Sequence, residues 1–170
     1  MSASMSGGAS PPTAAPQGSN PWNAVGSNGQ PLYSARNFFA YEADTLPSYP
    51  AGLAPGAAAQ ISFNIAGDSD FFWTKFTGLA FGSSNDAATL TSIPAVSLLL
   101  TNTTTGRQYS SNAVPIASMM GSGQLPFILP QITLWQKKST IQIQLQNLSS
   151  DTTYSNVQLT FLGIKAFTNS

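Results

Sequence analysis

The chain has 170 residues, six basic and six acidic, with no histidine and no cysteine. This removes the commonest general base, the commonest zinc ligand, every thiol nucleophile and any disulfide, so stability must come from packing and association. With only 7% of residues charged there is no basic stripe for nucleic acid, and no apolar run approaches the roughly 18 residues of a membrane-spanning helix.

Residues 1–31 are rich in Ser, Gly, Ala, Pro and Asn, and no charged residue precedes Arg36. Such a stretch cannot bury enough apolar surface to order itself and reads as an extended arm. It has neither a basic nor an apolar signal-peptide region, so no leader is expected. Within it Trp22, Val25 and Pro21 supply the apolar surface, and Trp22, lacking a core of its own, reads as an anchor into a neighbouring subunit. Residues 32–170 read as one domain of strands and turns.

In that domain, Gln60 to Ile65 alternates polar and apolar, the pattern of a half-buried strand. Asp68-Ser69-Asp70 is a turn, followed by an aromatic-rich strand from Phe71 to Phe81. Ile93 to Thr101 suits a sandwich interior, and Thr103 to Gly106 turns it back into Arg107 to Ser110. Pro126 and Pro130 bracket a short segment expected at a sheet edge. Ile132 to Trp135 and Thr140 to Asn147 read as a hairpin around Gln136-Lys137-Lys138-Ser139, with the lysines at a solvated tip. In the second of these strands Ile141, Ile143 and Leu145 face inward while Gln142, Gln144 and Gln146 face out. Val157, Leu159 and Phe161 repeat the alternation in a last strand running through Ile164 and Phe167. With no amphipathic helix, the fold class is all-β: a single jelly-roll-like β-sandwich of about eight strands preceded by the arm.

The residues that could carry chemistry are few. Asp68 and Asp70 could act as acid and base or contribute to a calcium shell, but residues two apart splay on a strand and Asp favours turns for its own reasons. Glu42 and Asp44 read as a solvated strand end. Trp22, Trp73 and Trp135 could form a sugar-stacking platform, against which stands the ordinary burial of Trp73 and Trp135 in a core or subunit interface. Gly121-Ser122-Gly123 lacks the spacing and lysine of a phosphate loop, and the sequons at Asn102 and Asn147 read as turn residues. No Ser or Thr has a base beside it. These readings predict no catalytic residues, no cofactor and no metal.

The order Leu32-Tyr33-Ser34-Ala35-Arg36-Asn37-Phe38, then Asp68-Ser69-Asp70-Phe71, then Thr105-Gly106-Arg107, a Pro-bracketed loop and Leu162-Gly163-Ile164-Lys165 resembles small virion proteins of tailed bacteriophages. The resemblance implies a jelly-roll capsid decoration or cement protein, located in the virion, that binds the major capsid protein and its own copies. It equally accommodates a neck, portal-vertex or tail-associated position. A carbohydrate-binding β-sandwich module is the competing class. A charge-poor surface fits the first class, since free monomers generally carry many mixed charges.

Overall fold

The computed structural model describes residues 20–82, 90–91, 94–122 and 124–168. Residues 1–19 of the expected arm, with Ile93 and Gly123, lie outside them. Among the described residues, ten strands form two antiparallel sheets. In the first, β1 (Tyr33–Asp44) pairs with β10 (Asn156–Thr168), which pairs with β3 (Asp70–Phe81). The far edge of β3 is shared by β8 (Phe127–Trp135) and the two-residue β4 (Leu90–Thr91). In the second, β2 (Ala58–Asn64) pairs with β9 (Thr140–Asn147) and β9 with β5 (Val96–Asn102). β6 (Arg107–Gln108) and β7 (Val114–Pro115) share the far edge of β5. The orders β1-β10-β3-β8 and β2-β9-β5-β6, with the chain passing repeatedly between sheets, are those of a jelly roll, as expected.

Alternation builds the core. Ile141, Ile143 and Leu145 of β9 and Val157, Leu159 and Phe161 of β10 are at most 2% exposed, and the glutamines between Ile141 and Asn147 point away. Trp73 and Trp135 stack with ring centroids 5.0 Å apart, and Phe71, Phe76 and Phe161 close around them. Trp73 and Phe76 are three residues apart, so a regular strand would send them to opposite faces. A bulge resolves this: Lys75 pairs with Leu162 and Trp73 with Gly163, which leaves Thr74 unpaired. Gly163 permits the close approach, because a Cβ there would lie 2.1 Å from the Phe72 carbonyl oxygen.

Two local expectations are corrected. β8 and β9 are not a hairpin, since they lie in different sheets and Gln136–Ser139 is the corner between them. Lys138 takes a positive φ of 65° there, and its N–H donates to the Ile65 carbonyl, so the corner closes on the end of β2. The lysine pair is therefore at a sheet-to-sheet corner. Phe127–Pro130 and Ile132–Trp135 belong to one strand, β8, interrupted between Ile128 and Thr133 where its pairing with β3 slips. Pro130 sits in that interruption at the sheet edge, where its missing N–H costs no ladder bond.

The described part of the arm, residues 20–31, also departs from an extended form. Pro21–Asn23 makes a 3-10 turn, Val25 bridges Pro31, and the Gly26 N–H donates to the Gln30 carbonyl at 2.8 Å. The chain doubles back and lays Trp22 on the domain.

Candidate functional site

The outer face of the first sheet gathers apolar residues that are far apart in the chain. Register places Phe38, Ile164, Phe72 and Leu134 side by side in one row across β1, β10, β3 and β8. Phe38 is 69% exposed and Leu134 42%, while Phe72 in the middle is 3% exposed. Trp22 and Tyr33 cover Phe72, both edge-on, with centroids at 5.8 and 5.5 Å. Ala166, Ile132 and Ile164 complete this second, smaller cluster. Ile128, in the next row opposite Lys75, is 67% exposed. Trp22 thus has a core within its own chain, contrary to the premise on which it was read as an anchor. Val25 remains 63% exposed beside the bridge to Pro31.

A second feature opens at the opposite edge, between β8 and the turn after β5. An apolar cavity of 310 Å³ is lined by Trp73, Phe76, Leu98, Leu100, Met119 and Phe127, among others. It adjoins a 550 Å³ groove carrying Asn102, Arg107, Gln131 and Gln136, with Tyr109 lining both. The Arg107 guanidinium lies 5.5 Å from the centre of the Tyr109 ring. Burial raises the Tyr109 phenol above its ordinary pKa, against smaller opposing effects of Asn102 and Trp135. The Trp135 contact falls short of a hydrogen bond, so the buried Trp135 Nε1 has no acceptor.

The acidic pair does not converge. Asp68 accepts from the Ser69 hydroxyl at 2.9 Å and sits 3.7 Å from Lys165 Nζ. The Ser69 bond first, then the Lys165 charge, holds its carboxyl below the usual carboxylate range. Asp70 turns the other way, accepting from the Tyr33 hydroxyl at 3.0 Å and the Lys137 N–H at 2.8 Å. Burial, then this bond, pushes the Tyr33 phenol well above its ordinary pKa. Both carboxylates are committed to holding turns together, and among the described residues no three potential ligands gather as for a metal. Lys165 itself points into the sandwich, its ammonium 4.2 Å from the centre of the Phe39 ring.

The remaining candidates have structural roles. Asn102 caps the turn by accepting from the Thr104 and Thr105 N–H groups, and the fully buried Asn147 donates to the Leu53 and Thr152 carbonyls. Asp44 caps the end of β1 by accepting from the Leu46 N–H. Trp73 and Trp135 are interior while Trp22 lies on the outer face, so no three-tryptophan platform is formed. The outer row and the edge groove escaped the sequence reading because both depend on register between distant strands. Comparison with family models, curated proteins and solved structures finds no match to this chain.

Proposed function

We propose that this chain is a non-enzymatic structural protein of a bacteriophage particle, a decoration or cement subunit that binds coat subunits and resides in the virion. The observation that carries the reading is the outer face of the first sheet, where exposed Phe38, Leu134 and Ile128 flank a Phe72 covered by Trp22 and Tyr33. A jelly roll recurs in capsid proteins and also in lectins, so the fold alone does not choose. Apolar surface of this kind is typical of a face covered in an assembly. With so few charges, attachment rests on apolar packing and hydrogen bonds, which salt screens little. A neck or tail position uses the same surface at a lower copy number. The amide-lined groove of Gln131, Gln136 and Asn102 favours the carbohydrate-binding alternative, and glycan binding by the isolated protein would select it.

The deciding experiment is quantitative mass spectrometry of purified particles before and after washing in 1 M sodium chloride. Hundreds of copies retained after the wash are expected of a shell protein, about a dozen of a neck protein. Absence from particles, or complete release by salt, contradicts the reading. Deleting residues 1–19, which spares Trp22, should weaken attachment while the domain still folds.

A further inference from the structure

β1 is twelve residues long, contains no proline, and among the described strands pairs only with β10. Its second edge therefore presents a row of backbone donors and acceptors suited to another strand. The outward side chains along it are Arg36, Phe38, Ala40 and Glu42, all exposed. Arg36 and Glu42 lie on the same face, and the only ion pair among the described residues is that of Lys165 with Asp68.

We propose that this edge pairs with the same edge of a second copy, antiparallel, across a two-fold axis passing at Phe39. The proposal is independent of the virion reading. Two identical strands joined about a two-fold must pair antiparallel, residue i on j and j on i. Directly opposed residues must also share a face, which leaves only registers that match outward with outward positions. Centring on Phe39 sets Arg36 of each copy opposite Glu42 of the other, Phe38 opposite Ala40, and Phe39 opposite itself. Both ion pairs close, and each exposed Phe38 ring gains a small neighbour to pack on. Centring on Phe38 leaves Arg36 facing Ala40 and Glu42 facing Ser34. Centring on Ala40 sets Phe38 against Glu42 and draws on Asp44, which already caps the Leu46 N–H. Charge complementarity along the strand thus selects one register. In it the two first sheets become continuous, and the two Phe38–Ile164–Phe72–Leu134 rows approach end to end, offset by two residues along the strands.

Sedimentation of the full chain should show a concentration-dependent dimer. Arg36→Glu alone, or Glu42→Arg alone, places like charges opposite each other at two symmetric sites and should weaken the dimer about tenfold or more. The double exchange restores the pairing with its signs reversed, and its dimer should return to within about threefold of the original. Thermal unfolding of each variant, expected unchanged, checks that the exposed substitutions leave the fold intact. Because the chain has no cysteine, Phe39→Cys provides a single thiol that should form an inter-chain disulfide on mild oxidation, as the spacing of opposed residues allows. Ala35→Cys, opposite Ala43 in this register, should not. A chain that is monomeric at all concentrations overturns the proposal, as does a double exchange no better than the singles. So does a dimer that ignores the charge exchanges but disappears when residues 1–19 are deleted, which would assign it to that segment.

Discussion

The two sheets differ on the faces they turn away from each other. On the second sheet, Gln60, Gln144 and Leu99 lie in one row and Ser62, Gln142 and Thr101 in the next, a face of amides and hydroxyls in which the half-buried Leu99 is the one apolar member of these two rows. On the first, the corresponding central row is Phe38, Ile164, Phe72 and Leu134. The inward faces follow one rule, burying large apolar side chains, so the difference is not a requirement of the sandwich. One sheet is finished by solvent. The other is covered partly by its own residues 20–33 and leaves Phe38, Leu134 and Ile128 exposed.

Truncation in the middle of each outer face gives the largest contrast. Phe72→Ala removes a ring held between Trp22 and Tyr33 and should cost about 3–4 kcal/mol by urea unfolding. Gln144→Ala at the exposed centre of the other face should stay within about 0.5 kcal/mol. Equal losses would erase the distinction. Trp22→Ala, which removes a half-buried ring and its edge contact with Phe72, should cost about 1–2 kcal/mol. A value near zero would mean that residues 20–31 lie on the sheet without stabilising it.

The pH profile tests the hydrogen bonds at the end of the first sheet. Tyr33 has its pKa raised above 10.0 by burial and by Asp70. Its stabilising contribution is therefore full below pH 10 and declines as pH rises further. Tyr33→Phe should flatten that alkaline decline. Asp68 has a lowered pKa, so its contribution is present above about pH 4 and lost as pH falls through the folded value. The urea midpoint of Asp68→Asn should accordingly fall less between pH 5 and pH 3 than that of the parent. The smallest effects on stability are expected of Phe38→Ser and Gln144→Ser, each within about 0.5 kcal/mol. Only the first should alter association, measured by sedimentation and by particle binding.

Much of the fold was legible because alternation survives in single strands. Gln142, Gln144 and Gln146 between buried aliphatics specify both a strand and its orientation, and the turns at Asp68 and Thr103 carry their own chemistry. What alternation does not state is which strand lies alongside. Gln136–Ser139 has the length of a hairpin turn, yet the strands before and after it enter different sheets, because Trp135 belongs opposite Phe71 and Ile141 opposite Phe63 and Asn102. The phase change at Thr74 is equally silent, since Trp73 and Phe76 face the same way only after a bulge. The outer row was hidden most deeply. Phe38, Phe72, Leu134 and Ile164 are isolated apolar residues along the chain and become neighbours only through register.

β1 pairs with β10, and β10 is also the inner partner of β3. The strand made first in the domain thus waits for the strand made last. At ordinary synthesis rates of 5–20 residues per second, the interval between Asp44 and Asn156 is on the order of 10 s. Throughout it Phe38, Phe39 and Tyr41 stand on an unpaired strand beside nascent copies of themselves, and the non-local pairing that relieves this is slow to form. The same edge that suits a finished subunit for self-association is, during translation, the place where chains on one messenger would pair too early.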